Sequence, residues 1–144
     1  MRTLLACCLI ALAGPACAQD WGDLDSALIR DLAPGGENLG SYWMPDHADP
    51  AQAMRALAVL YAHIPGSASG FTIHAGLYAR DAEGLRYAGP VSGLFGTEPR
   101  APVFHAERME LTTSMPGPDD PHCCPSRAQR WSIDYATLAA TALD

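Results

Sequence analysis

The chain has 144 residues, with 9 basic against 16 acidic side chains and a formal net charge of −7. A chain of this size folds as one domain, and its acidity gives nucleic acid or an anionic membrane surface no electrostatic hold. Every basic residue is arginine, which excludes a Schiff-base lysine, a Walker-type phosphate loop and an S-x-x-K nucleophile.

The first residues read as an export leader. Met1-Arg2 is a short positive start and Thr3 to Ala13 is an uncharged apolar run. Gly14-Pro15 breaks the helix, and Ala16-Cys17-Ala18 offers small residues at both ends of a cleavage site. The run is far shorter than the roughly 20 residues that span a bilayer. Cleavage after Ala18 is expected, leaving a mature protein that begins at Gln19, is periplasmic or secreted, and has no integral membrane insertion. Cys17 raises the alternative of an acylated lipoprotein, but Gly14 stands where such sites carry leucine. The expected organisation is a leader over residues 1–18, a helix and loop over 19–48, and a β-rich domain over 49–144.

In chain order, Trp21, Leu24, Leu28 and Leu32 share one helical face, which predicts a short amphipathic helix over Asp20 to Leu32. Acidic Asp20, Asp23 and Asp25 favour its first turns electrostatically, and Ala33-Pro34-Gly35-Gly36 ends it. These carboxylates match no calcium-loop spacing. Glu37 to Asp49 reads as a loop centred on Tyr42, Trp43 and Met44, with His47 solvated.

Asp49 to Ile64 carries two conflicting signals. Asp49-Pro50 and the alanines favour a helix. The compact apolar run ending at Pro65-Gly66 favours a strand buried on both faces, and the strand is expected. Phe71 to Arg80 alternates clearly and turns at Asp81 to Gly84 into a strand over Leu85 to Ala88. Gly89-Pro90 and Gly93 to Pro99 read as interruptions, with Val91 to Phe95 an edge piece or loop. Val103 to His105 reads as a brief strand. Arg108 to Met115 is a strand with Met109, Leu111, Thr113 and Met115 on one face. Arg130 to Tyr135 alternates again, and Ala136 to Leu143 reads as a helical or frayed tail. The expected class is α+β, mainly β: an antiparallel sheet curled into a half-barrel or sandwich with a short N-terminal helix.

The segment Asp120-Pro121-His122-Cys123-Cys124-Pro125-Ser126, followed by Arg130-Trp131 in a strand, resembles a D-P-x-C-C-P-[ST] segment of small exported bacterial proteins and lipoproteins of unknown function. The resemblance covers a small part of the chain. It implies a β-rich domain closed by this segment and an exported setting, and it brings no activity.

Three chemistries are open to Cys123 and Cys124. An oxidising compartment, with no other cysteine left after the leader, favours a vicinal disulfide. Adjacent Cα atoms sit about 3.8 Å apart, below the usual disulfide window that begins at about 4.4 Å, so the ring would be strained, a stiff lock before the last strand. A redox centre would use C-x-x-C at a helix start, and Asp119 and Asp120 oppose thiolate formation here. The third chemistry is a soft metal, copper or zinc, held by His122, Cys123 and Cys124. Its donor set suits the metal, but its spacing does not. His63, His74 and His105 are scattered over other elements. No nucleophile elbow occurs, since Pro90 stands at the glycine position before Ser92, and nothing assembles a nucleophile, base and orienter. The expectation is therefore a non-enzymatic binding or envelope-associated module without a required cofactor. Its partner would be an envelope protein or a small molecule, and metal binding and thiol redox chemistry are the alternatives.

Overall fold

A computed structural model describes residues 21–121 and 123–144. The leader, its cleavage site, Cys17, Asp20 and His122 lie outside the described residues. The described chain is mainly β. One helix, α1 (Leu24–Leu32), is followed by β1 (Asn38–Pro45), β2 (Arg55–His63), β3 (Phe71–Asp81) and β4 (Gly84–Val91). Then come β5 (Thr97–Phe104), β6 (Arg108–Met115), β7 (Arg127–Asp134) and β8 (Ala139–Leu143). Two four-stranded antiparallel sheets result, in the orders β1-β2-β3-β4 and β5-β6-β7-β8, and neither closes into a barrel.

The helix begins where Asp23 accepts a hydrogen bond from the Ser26 N–H, an N-cap that satisfies one of the orphan donors of the first turn. The Ser26 hydroxyl, then that backbone bond, holds the Asp23 carboxyl below its ordinary range. Leu28 and Leu32 are its buried residues. They pack on Ala56, Ala58, Leu60 and Ala62 of β2 and on Tyr78 of β3. The opposite face of β2 presents Leu57, Val59 and Tyr61. These join Ala75 and Leu77 of β3, Met109 and Leu111 of β6, and Trp131 and Ile133 of β7 in one apolar core drawn from both sheets. Arg55–His63 is thus a strand buried on both faces, as its apolar run implied, and its helix-like alanines serve instead as a flat seat for α1. Gly76, opposite Ala58 in the ladder, completes that seat. A Cβ there would come within 2.7 Å of the Tyr87 ring and would also meet Leu32.

Several elements differ from the sequence expectation. Glu37 to Asp49 is not a loop: Asn38–Pro45 pairs with β2 as β1. Its Trp43 packs toward the helix while Met44 joins the other core, so both faces bury apolar groups and the alternation is lost to view. Asp49 caps a single turn, accepting from the Ala51 N–H and the Gln52 amide, and starts no helix. Gly89-Pro90 does not end β4, because β4 is an edge strand where a missing N–H costs no ladder bond. Likewise Val103 is only the end of β5, which begins at Thr97 and carries Pro99 and Pro102 along a broken register. The Ala/Thr tail is β8. Asp134 accepts from the Ala136 N–H and from the Thr137 N–H and hydroxyl, and this turn brings the weak segment back onto β7. Ser92 joins the two sheets at this end, donating its N–H to Leu138 O and accepting from the Ala140 N–H.

Because Gly76 leaves no room for a side chain beneath α1, Gly76→Val is expected to cost about 1–3 kcal/mol by overpacking. Denaturant unfolding, compared with a Gly40→Ala control where a Cβ meets nothing within 4 Å, measures the loss.

Candidate functional site

Two cavities need to be told apart. The larger, about 580 Å³, lies between α1 and the first sheet and is lined by Trp21, Trp43, Tyr78 and Tyr87 among others. Its rings pack on one another, with centroids 5.3 Å apart for Trp21–Trp43 and 5.0 Å for Trp43–Tyr78. Among its polar groups, Tyr78 donates to Asp31, which also pairs with Arg30, while the buried Trp43 indole N–H has no partner among the described residues. Burial, together with that bond, pushes the Tyr78 phenol well above its ordinary range. This cavity is the margin of the helix seat.

The second cavity, about 380 Å³, lies against the cysteine segment and is more apolar. Phe71, Ile73 and Phe95 line it on one side, with Met115 and Pro116 at the end of β6 and Pro121, Cys123 and Pro125 on the other. Phe71 is 42% exposed and Phe95 58% exposed, a large apolar area to leave in water. Cys123 and Cys124 are both exposed, and their sulfurs meet as a vicinal pair across Cα atoms 3.8 Å apart.

The loop that carries them is tied by Asp120. Its carboxylate accepts from the Gly117 N–H at 2.6 Å, from the Ser126 N–H at 2.6 Å and from the Ser126 hydroxyl at 2.7 Å. The Cys124 N–H donates to Pro121 O at 3.0 Å, adding a turn inside the clasp. The Ser126 hydroxyl, then the Gly117 and Ser126 amides, hold the Asp120 carboxyl below the usual carboxylate range. In sequence, Asp120 counted only as a charge beside the thiols. Its structural role is to close the segment from Gly117 to Ser126, and the legible signal was an aspartate with a glycine before it and a serine after it.

The opposite wall is fixed from the core. The Trp131 indole N–H donates to the Thr113 hydroxyl at 2.8 Å, and that hydroxyl donates in turn to Phe95 O at 2.8 Å. Thr113 is buried, so this relay satisfies three polar groups at once and anchors the turn that presents Phe95. Tyr61 adds a bond from its hydroxyl to Gly96 O at 3.3 Å, and desolvation pushes its phenol up to about 12. Gly96 has φ of +96°, and a Cβ on it would stand 2.8 Å from Ser114 O, so only glycine fits this turn. Neither Thr113 nor Phe95 stood out in sequence, since a threonine on the inward face of a strand reads simply as filler.

The histidines do not gather here. His63 Nε2 lies 2.8 Å from Ser67 O, His74 Nε2 lies 2.9 Å from the Thr72 hydroxyl, and His105 lies 3.6 Å from Glu110. Among the described residues no group of three or more His, Cys, Asp or Glu side chains is arranged to hold a metal ion. Glu110 is held below the usual carboxylate range chiefly by Arg130, and Arg108 adds a second partner.

Two outcomes are expected. Thr113→Val leaves the Trp131 N–H and Phe95 O without partners and should cost about 1–3 kcal/mol, measured by denaturant unfolding. For Asp120 the folded value is depressed, so the clasp is whole above the ordinary carboxylate value of 3.8 and is lost as pH falls through the lowered one. Amide exchange at Gly117 and Ser126 should therefore accelerate at acid pH relative to the β6–β7 ladder. In Asp120→Asn it should already be fast at neutral pH.

Comparison with known proteins gave no match: no family model fits the chain, and no curated protein or solved structure is significantly similar to it.

Proposed function

We propose that this chain is an exported, non-enzymatic binding module of the bacterial periplasm or outer surface. In this reading the two sheets face each other as a sandwich, and a Cys123–Cys124 disulfide stiffens one wall of an apolar cleft. The observation that carries it is the juxtaposition of Cys123, Pro121 and Pro125 with exposed Phe71 and Phe95 across that cleft. A concave apolar surface beside a rigid loop is the form binding sites take, because ordering costs are met before the ligand arrives. A disulfide between neighbouring residues closes almost no chain, so it adds little through loop entropy. Its effect is local: with a proline on either side, it leaves the segment few conformations. The leader reading and the expected start at Gln19 supply the oxidising compartment that such a bond needs.

The test begins with the protein purified from the periplasm of an expressing bacterium. Its intact mass should begin at Gln19 and rise by about two mass units on reduction, with no bound metal. A chain beginning at an acylated Cys17 would replace the soluble form with a lipoprotein. Stoichiometric copper or zinc, lost in Cys123→Ser, would replace the lock with a thiol and histidine metal site at His122, Cys123 and Cys124. For the cleft, an apolar fluorescent dye should bind the native fold and lose at least about tenfold in affinity on Phe95→Asp. Unchanged binding in that variant would remove the cleft from the proposal.

A further inference from the structure

Four strands lie at sheet edges: β1, β4, β5 and β8. An edge strand exposes a row of unpaired main-chain groups, and proteins blunt such rows with proline, bulges, charge or a covering segment. Three of these edges are blunted. β4 carries Pro90 and a register shift against β3. β5 carries Pro99 and Pro102, and Glu98 and Ala101 adopt positive φ, so its ladder is broken twice. β8 is short and is engaged by Ser92 at its start. β1 differs. It has a register shift between Asn38 and Gly40 and a proline at its end, Pro45. Between them, from Gly40 to Met44, it keeps an unbroken register with β2 without proline or charge.

The free groups of β1 can be named. The Asp46 N–H donates to Arg55 O, which fixes the parity of the ladder. In an antiparallel pair the residues alternate, so Met44 and Tyr42 bond to β2 while the main chain of Ser41 and Trp43 faces outward. Beside this edge is a third cleft of about 300 Å³, lined by Leu39, Gly40 and Tyr42 of β1, by Tyr61 and Phe71, and by Thr97 and Glu98 of β5. Leu39 is 52% exposed and Tyr42 37% exposed. A strand laid against β1 would send alternate side chains into this cleft, between β1 and β5. The cleft shares Phe71 and Thr97 with the one beside Cys123, so the two adjoin.

Charge selects the occupant. Glu37 precedes β1 and Asp46 follows it, Asp25 accepts from Asn38 and Ser41 of β1, and Glu98 lines the cleft. A second copy of this chain would bring the same carboxylates against themselves, at a net charge of −7 each. A basic segment would be drawn in.

We propose that the β1 edge from Leu39 to Met44 is a strand-addition site for an extended polypeptide segment of alternating apolar side chains with basic residues at its ends. Main-chain bonds to Ser41 and Trp43 give the affinity. The clefts select the alternating side chains, and the acidic frame sets the preference for basic flanks. This deepens the binding-module reading and rests on it.

The experiment uses the exported protein as purified, labelled for NMR. The probe is a synthetic peptide of alternating valine and threonine with lysine at both ends; controls carry glutamate ends or a central proline. The lysine peptide should slow amide exchange at Ser41 and Trp43 by about tenfold, and both controls should bind at least about tenfold more weakly. Ser41→Pro removes an outward N–H, and Leu39→Lys places a repelling charge on the exposed edge. Each should abolish the protection while the amide exchange of the β2–β3 ladder stays native. Protection that persists in Leu39→Lys overturns the proposal, as does no protection in the parent. If the peptide instead shifts the Phe95 and Cys123 signals without protecting Ser41 and Trp43, strand addition fails while the cleft reading stands. A dimer formed without peptide through the same amides would overturn the assignment of the occupant.

Discussion

The architecture depends on the burial of β2 from both sides. Toward α1 it presents the small Ala56, Ala58 and Ala62 with one large residue, Leu60, and toward the core shared with the second sheet it presents Leu57, Val59 and Tyr61. This division of sizes lets a helix approach one face closely while the other face fills a deeper space. Were the alanines large, α1 would be lifted from its seat; were Leu57 or Val59 small, the inter-sheet core would hold a void costing about 24 cal/mol per Å³. Every other strand of the first sheet takes its position from this one, directly or through β3.

The second sheet contributes differently. Its strand β6 brings Met109 and Leu111 to the same core and inserts one hydroxyl, Thr113, among them. Burying a hydroxyl is costly unless its donor and acceptor capacity are used, and here Trp131 and Phe95 use them. The consequence reaches the surface, since the turn fixed by this relay carries the exposed Phe95. The cleft is thus held from two directions, by a polar relay inside the core and by the Asp120 clasp outside it. One is protected from solvent, and the other depends on a carboxylate remaining ionised.

The cysteine segment is therefore one part of a larger arrangement. In sequence the two cysteines draw attention because thiols are chemically distinctive. In the fold they stand at the rim of a groove whose other wall comes from residues far away in the chain. Asp120 is turned toward Gly117 and Ser126, so its charge acts on the loop's own donors.

The sequence alone determined those elements whose faces meet different surroundings. Arg108–Met115 alternates because one side meets the inter-sheet core and the other does not. Phe71–Asp81 keeps its period of two because its other positions, Thr72, His74, Gly76 and Arg80, are mostly polar or small, although Tyr78 is buried against the helix. The β2 segment was legible by its uniform apolarity, although helix propensity competed with it. Only the tertiary structure decided β1, β5 and β8. Trp43 and Met44 bury opposite faces and hide the period, β5 keeps its place despite two prolines because it lies at an edge, and β8 has no preference of its own until the Asp134 turn delivers it to β7. The groove was illegible for the same reason. Phe71, Phe95, Thr97 and Pro121 acquire a common surface only when two sheets, each built from local hairpins, close on one core, and no local pattern encodes that meeting.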